Sequence, residues 1–589
     1  MISWLCVTRM ELFVFLLLSV GSATSYHGSP SCRYIPGDHG WPSQPKWHQL
    51  NMTVGGRLIA TLPVASVCHD PGFNNVSCSA LKELWDTPLP QRVLRIGAPA
   101  EIVTALFQNE SCVPFTTRST PCTLGNLVSY SINVTSARDV VAGLKFVRGN
   151  NVRLVVKNTG HDEATTNSPV LKTGKGGLAL WMHHLDSKQI IERFTSPHYS
   201  GPAMRLGAGV IAADAYPAAH QKGYRIVGGS CPTVGLAGGY TQGGGHSSLS
   251  GLYGLGADNV LEWEVVTADG RHLIATPTAN RDLFWALSGG GGGTFGVVLS
   301  MTVRLHADGP IGGGLLVLNK TLTGPEAFWG AIRTFHATLP GIVDTGATVS
   351  YQVTNGLFII GAVAAPNRTA EEVTALLSPF LSKLSEKSIP LLWIPSHFDN
   401  YFDWFSATFG PLPRGIFPVG GLTASRLFPR KAVAGQPEVV HRAIQNTVQS
   451  GIFHMACLGL NAGLPISASS EGRPPTNAVH PAWRDTLMHC IVLADWDWTV
   501  PYSVMEARET ELTNSIVPGL EAATPGSGTY LNEANFLQPN WQHEFFGENY
   551  PRLLDIKARY DPDNVFYATT AVGSEAWRPD SEGRLCRVG

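Results

Sequence analysis

Apolar residues along this chain alternate between a spacing near 3.6 and a spacing of 2, and each change of period marks an element. Val140, Val141, Leu144 and Val147 share one helical face. Ser136 followed by Asp139 resembles a capping box, and Gly149 is the expected stop. The next run, VRLVVK at 152–157, is β-branched and predicts a buried strand that delivers Asn158, Thr159, Gly160 and His161 to the loop at its end. GGLALWMHHL, MRLGAGV and YRIVGG predict further strands, with a helix over 212–222. VLEWEVVTADGRHLIAT predicts a hairpin turning at Asp269-Gly270. RDLFWAL then predicts a short helix, followed by SGGGGGTFG and the strand VVLSMTVRL.

Past about residue 308 the helical patterns lengthen, as over 369–387, and alternate with strands such as GLFIIGAVAA, IFHMACLGL and MHCIVLADW. This predicts a second α+β domain built on an antiparallel sheet. FFGENYPRLLDIKARYDPDNVF reads as one helix closed by Asp561-Pro562, and 578–589 as an irregular tail. Residues 24–122 mix Pro, Gly and Cys without a clear period.

One stretch fits neither period. From Gly228 to Ser247 the chain reads GGSCPTVGLAGGYTQGGGHS, too rich in glycine for a regular helix or an intended core, and predicts backbone lying against a large ligand. A second glycine run spells G-x-G-x-x-G at Gly291, Gly293 and Gly296. A dinucleotide fingerprint needs a strand before it, a helix after it and an acidic residue about 20 positions on. Here helix precedes strand and no Asp or Glu lies between Gly309 and Gly324, so that reading is rejected, and no Walker lysine is present.

With 589 residues the chain exceeds the size of a single core, and it divides as 24–122 (a Cys-rich extension), 123–307, 308–530 and a closing segment 531–577. Charged residues make up 15 % and the net charge is −2, so no basic face exists for nucleic acid. Arg9, the apolar run 12–18 and the small residues Gly21, Ser22 and Ala23 have the layout of a secretory signal over 1–23, the run being too short for a membrane anchor; a buried N-terminal helix is the alternative. Sequons at Asn51, Asn75, Asn109, Asn133, Asn319 and Asn367 agree with export and predict a glycoprotein. Of ten cysteines, Cys6 falls in the signal and Cys231 in the glycine stretch. The other eight, five of them before residue 123, suit disulfides in an oxidising compartment and predict a stapled cover at the N-terminus, with partners that spacing does not reveal. The sequence predicts no metal-ligand set and is silent on oligomeric state.

Four blocks in order, VKNTGHD (156–162), CPTVGLAGGYTQGGGHS, DLFWALSGGGGGTFGVV and FFGENYPRLLDIKARYDP, give the chain a family likeness. It resembles the berberine bridge enzyme-like FAD-linked oxidoreductases of the vanillyl-alcohol oxidase superfamily over about 120–577. The resemblance implies an α+β fold: a two-lobed FAD-binding domain, a substrate domain whose antiparallel sheet covers the flavin ring, and a C-terminal segment returning to the first. It implies bicovalent FAD, the histidine matching His161 on the 8α-methyl and the cysteine matching Cys231 on C6. An imidazole and a thiolate are the side chains most ready to add to an electrophilic flavin.

Asn158, Gly160, Gly228, Gly229, Gly235, Gly238, Gly239, Gly243, Gly244 and Gly245 are expected to cradle the cofactor through backbone N–H groups. His246 is as fit to touch the flavin as to cap its loop. The family's aromatic after the His-Asp pair is replaced by Glu163, which is either a base or a solvated loop residue. Tyr530, Asn532, Glu533, Asn549 and Tyr550 lie where relatives carry groups near flavin or substrate. The resulting expectation is a secreted oxidase acting on a small alcohol or secondary-metabolite intermediate, with O2 as acceptor and H2O2 as product. A carbohydrate oxidase, a flavin-dependent cyclase without net redox and a non-catalytic binding protein are the rivals. The missing aromatic weighs against the first of these, and the intact blocks against the last.

Overall fold

The computed structural model describes residues 32–85, 97–101, 105–108, 111–161, 174–413, 415, 421–463 and 477–588. The signal segment, Asn109 and Glu163 lie outside the described residues. Among those described, no helix is long and apolar enough to cross a membrane.

Three larger sheets organise the described residues. The first has four strands in the order Leu58–Ala60, Tyr130–Asn133, Leu178–Trp181, Leu154–Lys157, and the last three run parallel. The helix Ala137–Asn150 packs Val140, Leu144 and Val147 on this sheet, together with Val266 and Val297 of the next. The second sheet is antiparallel with five strands: Lys188–Ser196, Tyr199–Gly207, Val297–Arg304, Val260–Val266 and His272–Ala275. The third, also antiparallel, has seven strands in the order Leu392–Phe398, Ile311–Asn319, Leu357–Pro366, Thr348–Val353, His454–Gly459, Thr486–Ala494, Leu422–Pro429.

Strand alternation decides what the third sheet does. Met488, Cys490, Val492 and Ala494 point into a core shared with the helices Pro325–Val343, Ala370–Glu386 and Pro437–Val448. Their neighbours His489, Ile491 and Leu493 point the other way and line a cavity. The helix Ala370–Glu386 starts where its residues demand, at a capping box in which Thr369 and Glu372 satisfy each other's backbone N–H.

Several local expectations change. Ser136 makes no cap; the Asp139 carboxylate accepts instead from the Thr135 N–H and hydroxyl, each at 2.9 Å. The helix runs past Gly149 to Asn150, and Asn151 takes the left-handed conformation at φ 51°. YRIVGG supplies only the two-residue strand Tyr224–Arg225. The helix expected from 545 onward breaks at Gly547, φ 55°, into Trp541–Phe546 and Tyr550–Tyr560. The tail is ordered, Trp577–Pro579 pairing with Leu585–Arg587.

The N-terminal extension is more than a cover. It holds the helices Gln44–Thr53 and Asn75–Trp85, gives the first sheet a strand, stacks Trp47 on Tyr130 with centroids 4.2 Å apart, and buries Phe107 in the core of the seven-stranded sheet. Disulfides join Cys68 to Cys78, Cys112 to Cys122, Cys457 to Cys490, and Cys32 to Cys586 across 554 residues. Asn75 and Asn367 are exposed. Asn51, Asn133 and Asn319 are half-buried, and their side-chain oxygens bond Leu58 N–H, His184 Nδ1 and Thr321 N–H.

One buried carboxyl makes stability depend on pH. Glu509, in the helix Tyr502–Glu511, is 4 % exposed, and burial pushes it up to about 7 despite hydrogen bonds from Asn535 and Thr513. The folded state thus holds this proton more tightly than the unfolded chain, whose carboxyl titrates near 4.5. The stabilisation is full below that value and is lost as pH rises through about 7, a change on the order of 3 kcal/mol. Urea unfolding followed from pH 5 to pH 8 should show this decline, and Glu509→Gln should flatten it. An unchanged slope in the variant would put the pH dependence elsewhere.

Candidate active site

A cavity of about 660 Å³ lies where the glycine stretch, the first sheet and the seven-stranded sheet meet. The strand Leu154–Lys157 runs into it, and Gly160, φ 81°, makes the turn that brings His161 to its wall. Cys231, outside the four disulfides described above, lines the same wall. Thr233 sits between them, its Oγ1 2.6 Å from His161 Nε2 and 3.5 Å from Cys231 Sγ. Imidazole and thiol therefore converge on one hydroxyl, from positions about seventy residues apart.

The glycines divide into two groups. Gly160, Gly229, Gly235 and Gly239 line the cavity, joined by Gly290 to Gly293 of the second run. An added Cβ on Gly239 would meet nothing within 4 Å, so its backbone is open to an occupant. Gly228, Gly238, Gly243, Gly244 and Gly245 are not on the wall, and their reason is packing behind it. A Cβ at Gly228 would lie 2.5 Å from the Tyr216 hydroxyl, at Gly238 2.6 Å from Asn158 Nδ2, at Gly243 2.2 Å from Asn532 Oδ1 and at Gly245 2.8 Å from the Tyr240 ring. Gly244, at φ 123°, backs onto Val479 and Tyr530. The stretch was expected to exclude a core; instead Leu236 and Ala237 are fully buried within one.

Asn158 lines the cavity too, its Nδ2 donating to the Ala208 carbonyl while its buried Oδ1 has no hydrogen-bond partner. That orphaned acceptor, the open Gly239 and the Gly290–Gly293 cradle fit a long ligand rich in donors and phosphate oxygens. FAD is such a ligand, and His161 and Cys231 are the groups that would hold its ring. Lys157, also on the wall, is pushed down to about 7 by burial, against the attraction of Glu101.

The opposite wall carries Tyr530, whose hydroxyl accepts from Gly245 N–H at 3.2 Å and from Asn532 Nδ2 at 2.7 Å. Burial holds this phenol well above its ordinary range, so it stays protonated. Beside it Glu533 accepts hydrogen bonds from His246 Nε2 at 3.0 Å and His489 Nε2 at 2.6 Å. Burial alone would raise the Glu533 carboxyl, but His246 and His489 outweigh it and hold it well below the carboxylate range. Asn549 and Tyr550 are not on the wall: Asn549 Nδ2 donates to the Ala478 and Val479 carbonyls, and the Tyr550 hydroxyl to Glu575.

Sequence reasoning missed Thr233 and His489. The second left a trace, since His489 is in phase with Ile491 and Leu493 rather than with the core positions of its strand.

Two family models match the chain: "FAD binding domain" over residues 128–276 and "Berberine and berberine like" over 529–573. The VAO-type flavoprotein oxidase VAO615 of Thermothelomyces thermophilus is 48 % identical over 588 residues, covering 98 % of this chain and 100 % of that protein. The chain belongs to the berberine bridge enzyme-like, VAO-type FAD-linked oxidoreductases. Within that family the bifunctional decalin synthase calF of Penicillium decumbens is also 48 % identical, over 97 % of this chain and 98 % of its own. The crystal structure of MtVAO615 from Myceliophthora thermophila at pH 5.0 superposes with a TM-score of 0.89, over 95 % of this chain and 100 % of that one. Glucooligosaccharide oxidase from Acremonium strictum, with 6-S-cysteinyl, 8α-N1-histidyl FAD, shares the fold at 18 % identity and a TM-score of 0.62, over 76 % of this chain and 92 % of its own. The chain is thus an FAD-dependent enzyme of VAO type, with the α+β architecture its periods imply.

Proposed function

We propose that the protein is a secreted oxidase that takes a small organic substrate, an alcohol or a secondary-metabolite intermediate, and passes its electrons to O2 to give H2O2, with FAD bound through both His161 and Cys231. The observation that carries this reading is the convergence of the His161 imidazole and the Cys231 thiol on the Thr233 hydroxyl at the wall of one cavity. The flavin would supply two-electron acceptance and return of those electrons to oxygen. The chain's own residues do the rest. Thr233 aligns both attachment groups, and Gly239 and Gly290–Gly293 leave room for the cofactor's backbone contacts. Tyr530, a neutral phenol held by Gly245 and Asn532, can orient a substrate oxygen as a donor. Glu163, two residues past His161, is the proposed base.

The face that the third sheet turns to the cavity bears Ile359, Ala456, Leu458, Ile491 and Leu493, with the polar Ser350, Gln352 and His489 among them. A mainly apolar face with a few polar groups suits a hydrocarbon-rich substrate carrying some oxygens better than a sugar chain. Together with the decalin synthase among the relatives, it supports a second reading in which the site folds a polyene-like substrate for cyclisation without net oxygen use. Anaerobic mixing separates the two. An oxidase substrate should bleach the flavin's long-wavelength absorbance and yield peroxide when air is admitted; product without bleaching or oxygen uptake would select the cyclase. A panel of alcohols, oligosaccharides and polyketide-like compounds screened for peroxide provides the candidates, and failure of every alcohol alongside turnover of an oligosaccharide would overturn the apolar-substrate reading.

A further inference from the structure

The flavin reading leaves one donor set on the cavity wall unused. His246 comes from the glycine stretch, His489 from the middle of the strand Thr486–Ala494 and Glu533 from the turn Leu531–Glu533. His246 Nε2 lies 3.0 and 3.1 Å from the two Glu533 oxygens, His489 Nε2 lies 2.6 Å from Oε2, and one donor atom from each residue falls within 4.8 Å of the others. Ligands about 2.1 Å from a tetrahedral ion stand roughly 3.4 Å apart, so the shortest of these contacts, 2.6 Å, needs to open by about 0.8 Å.

The frame around the set is stiff. His489 sits in a strand paired on both sides, the His246 carbonyl accepts from the Tyr240 hydroxyl at 2.8 Å, and the Glu533 turn is tied to the glycine stretch through Tyr530 and Gly245. Among the described residues, Nδ1 of His246 and Nδ1 of His489 are both buried without a hydrogen-bond partner. Each Nε2 therefore carries the proton it donates to Glu533, and a cation would displace that proton, to the unpartnered Nδ1 or to solvent, to reach the Nε2 lone pair. Among the described residues, the hydrogen bonds to the Glu533 carboxylate come from these two imidazoles, with no lysine or arginine. No fixed positive charge from lysine or arginine faces this buried carboxylate among the described residues, and a bound dication would supply one.

We propose that His246, His489 and Glu533 bind one divalent transition ion of the zinc class, with an open coordination position turned to the cavity. Two imidazoles and one carboxylate with a vacant fourth place are a donor set that zinc uses where it meets substrate. Glu533 and His246 keep 21 % and 14 % of their side-chain surface accessible, whereas His489 keeps 1 %, so the vacant position faces outward past the first two. Neutral imidazoles and one carboxylate leave the ion a net positive charge, which fits a hydroxyl, alkoxide or enolate oxygen as the fourth ligand. Among the described residues a second cluster of this type, Cys32, Asp580 and Cys586, carries no such proposal because its cysteines are joined in a disulfide.

The test uses untagged, flavin-loaded protein stripped with dipicolinate and dialysed against buffered Zn2+, with metal counted by mass spectrometry. About one equivalent is expected, and Co2+ in its place should give ligand-field bands on the long-wavelength side of the flavin. His489→Ala and Glu533→Gln should each weaken binding by about 100-fold or more while flavin content stays constant. If His489→Ala fails to fold, the near-isosteric Glu533→Gln decides alone. Wild-type protein holding no more than trace metal, or variants that keep the wild-type stoichiometry, would overturn the assignment and leave the set as a hydrogen-bonded pair of imidazoles.

Discussion

Protein carrying His161→Ala together with Cys231→Ala should surrender all of its flavin to the supernatant on acid precipitation, while wild type and each single variant stay yellow in the pellet. The imidazole and thiol approach one hydroxyl from separate elements, so under the proposed attachment each would bond the ring without the other. Either bond alone should survive denaturation, and only loss of both should free the cofactor. Mass spectrometry of digests should find two flavin-modified sites in wild type and one in each single variant. A wild-type supernatant holding all the flavin would refute covalent attachment outright, and one modified site would reduce it to a single bond. Thr233→Val, which removes the shared hydroxyl, should slow attachment without abolishing it.

Asp561→Ala should be the most damaging single change to stability, costing about 3–5 kcal/mol, because it strands a buried ammonium. Lys557 Nζ lies 2.6 Å from Asp561 Oδ2, 2.9 Å from the Thr294 carbonyl and 2.7 Å from the Phe566 carbonyl, and both charged side chains are almost fully buried. Asp561 also accepts the Val565 and Phe566 N–H groups at 2.8 and 2.9 Å, so the substitution leaves those donors bare as well. Thr294 closes the glycine run on the cavity wall, and the loss should therefore loosen cofactor binding along with the fold. The exposed pair of Arg333 and Glu438 is the control: Arg333→Ala should change the unfolding free energy by less than about 1 kcal/mol. Urea titrations of both variants make the comparison, and a small effect from Asp561→Ala would mean that water reaches Lys557.

What could be read in advance was whatever a short window of chain determines. The helix Ala137–Asn150 announced itself by one apolar face, the helix Ala370–Glu386 by its face and its capping box, and the hairpin through Asp269-Gly270 by its turn. Helix ends were less legible. Gly149 is an able stop, yet Asn151 tolerates the left-handed region well enough for the helix to run one residue further. The break at Gly547 hid inside a pattern that reads as continuous.

The candidate site was half visible for the same reason. His161 and Cys231 stand in distinctive local blocks, which is why the sequence singles out both, and both line one cavity. The glycines were seen but misread in part: several exist because Asn158, Tyr216, Tyr240 and Asn532 press against them, and which side chain arrives from another element is not written next to the glycine. Asn549 and Tyr550 failed as cavity residues because position along a segment does not say which way its helix is rotated.

The sequence by itself determined the periods, hence the α+β elements, the even set of cysteines, and the two reactive side chains at the ends of their blocks. These depend on φ/ψ preference and on apolar residues repeating within a turn or two, which are short-range effects. The tertiary structure alone decided that Cys586 finds Cys32, that Phe107 fills a core centred more than two hundred residues away, and that His246, His489 and Glu533 meet at one point. Those pairings follow from which buried faces close against each other, a free-energy balance over the whole chain to which no single segment holds the terms.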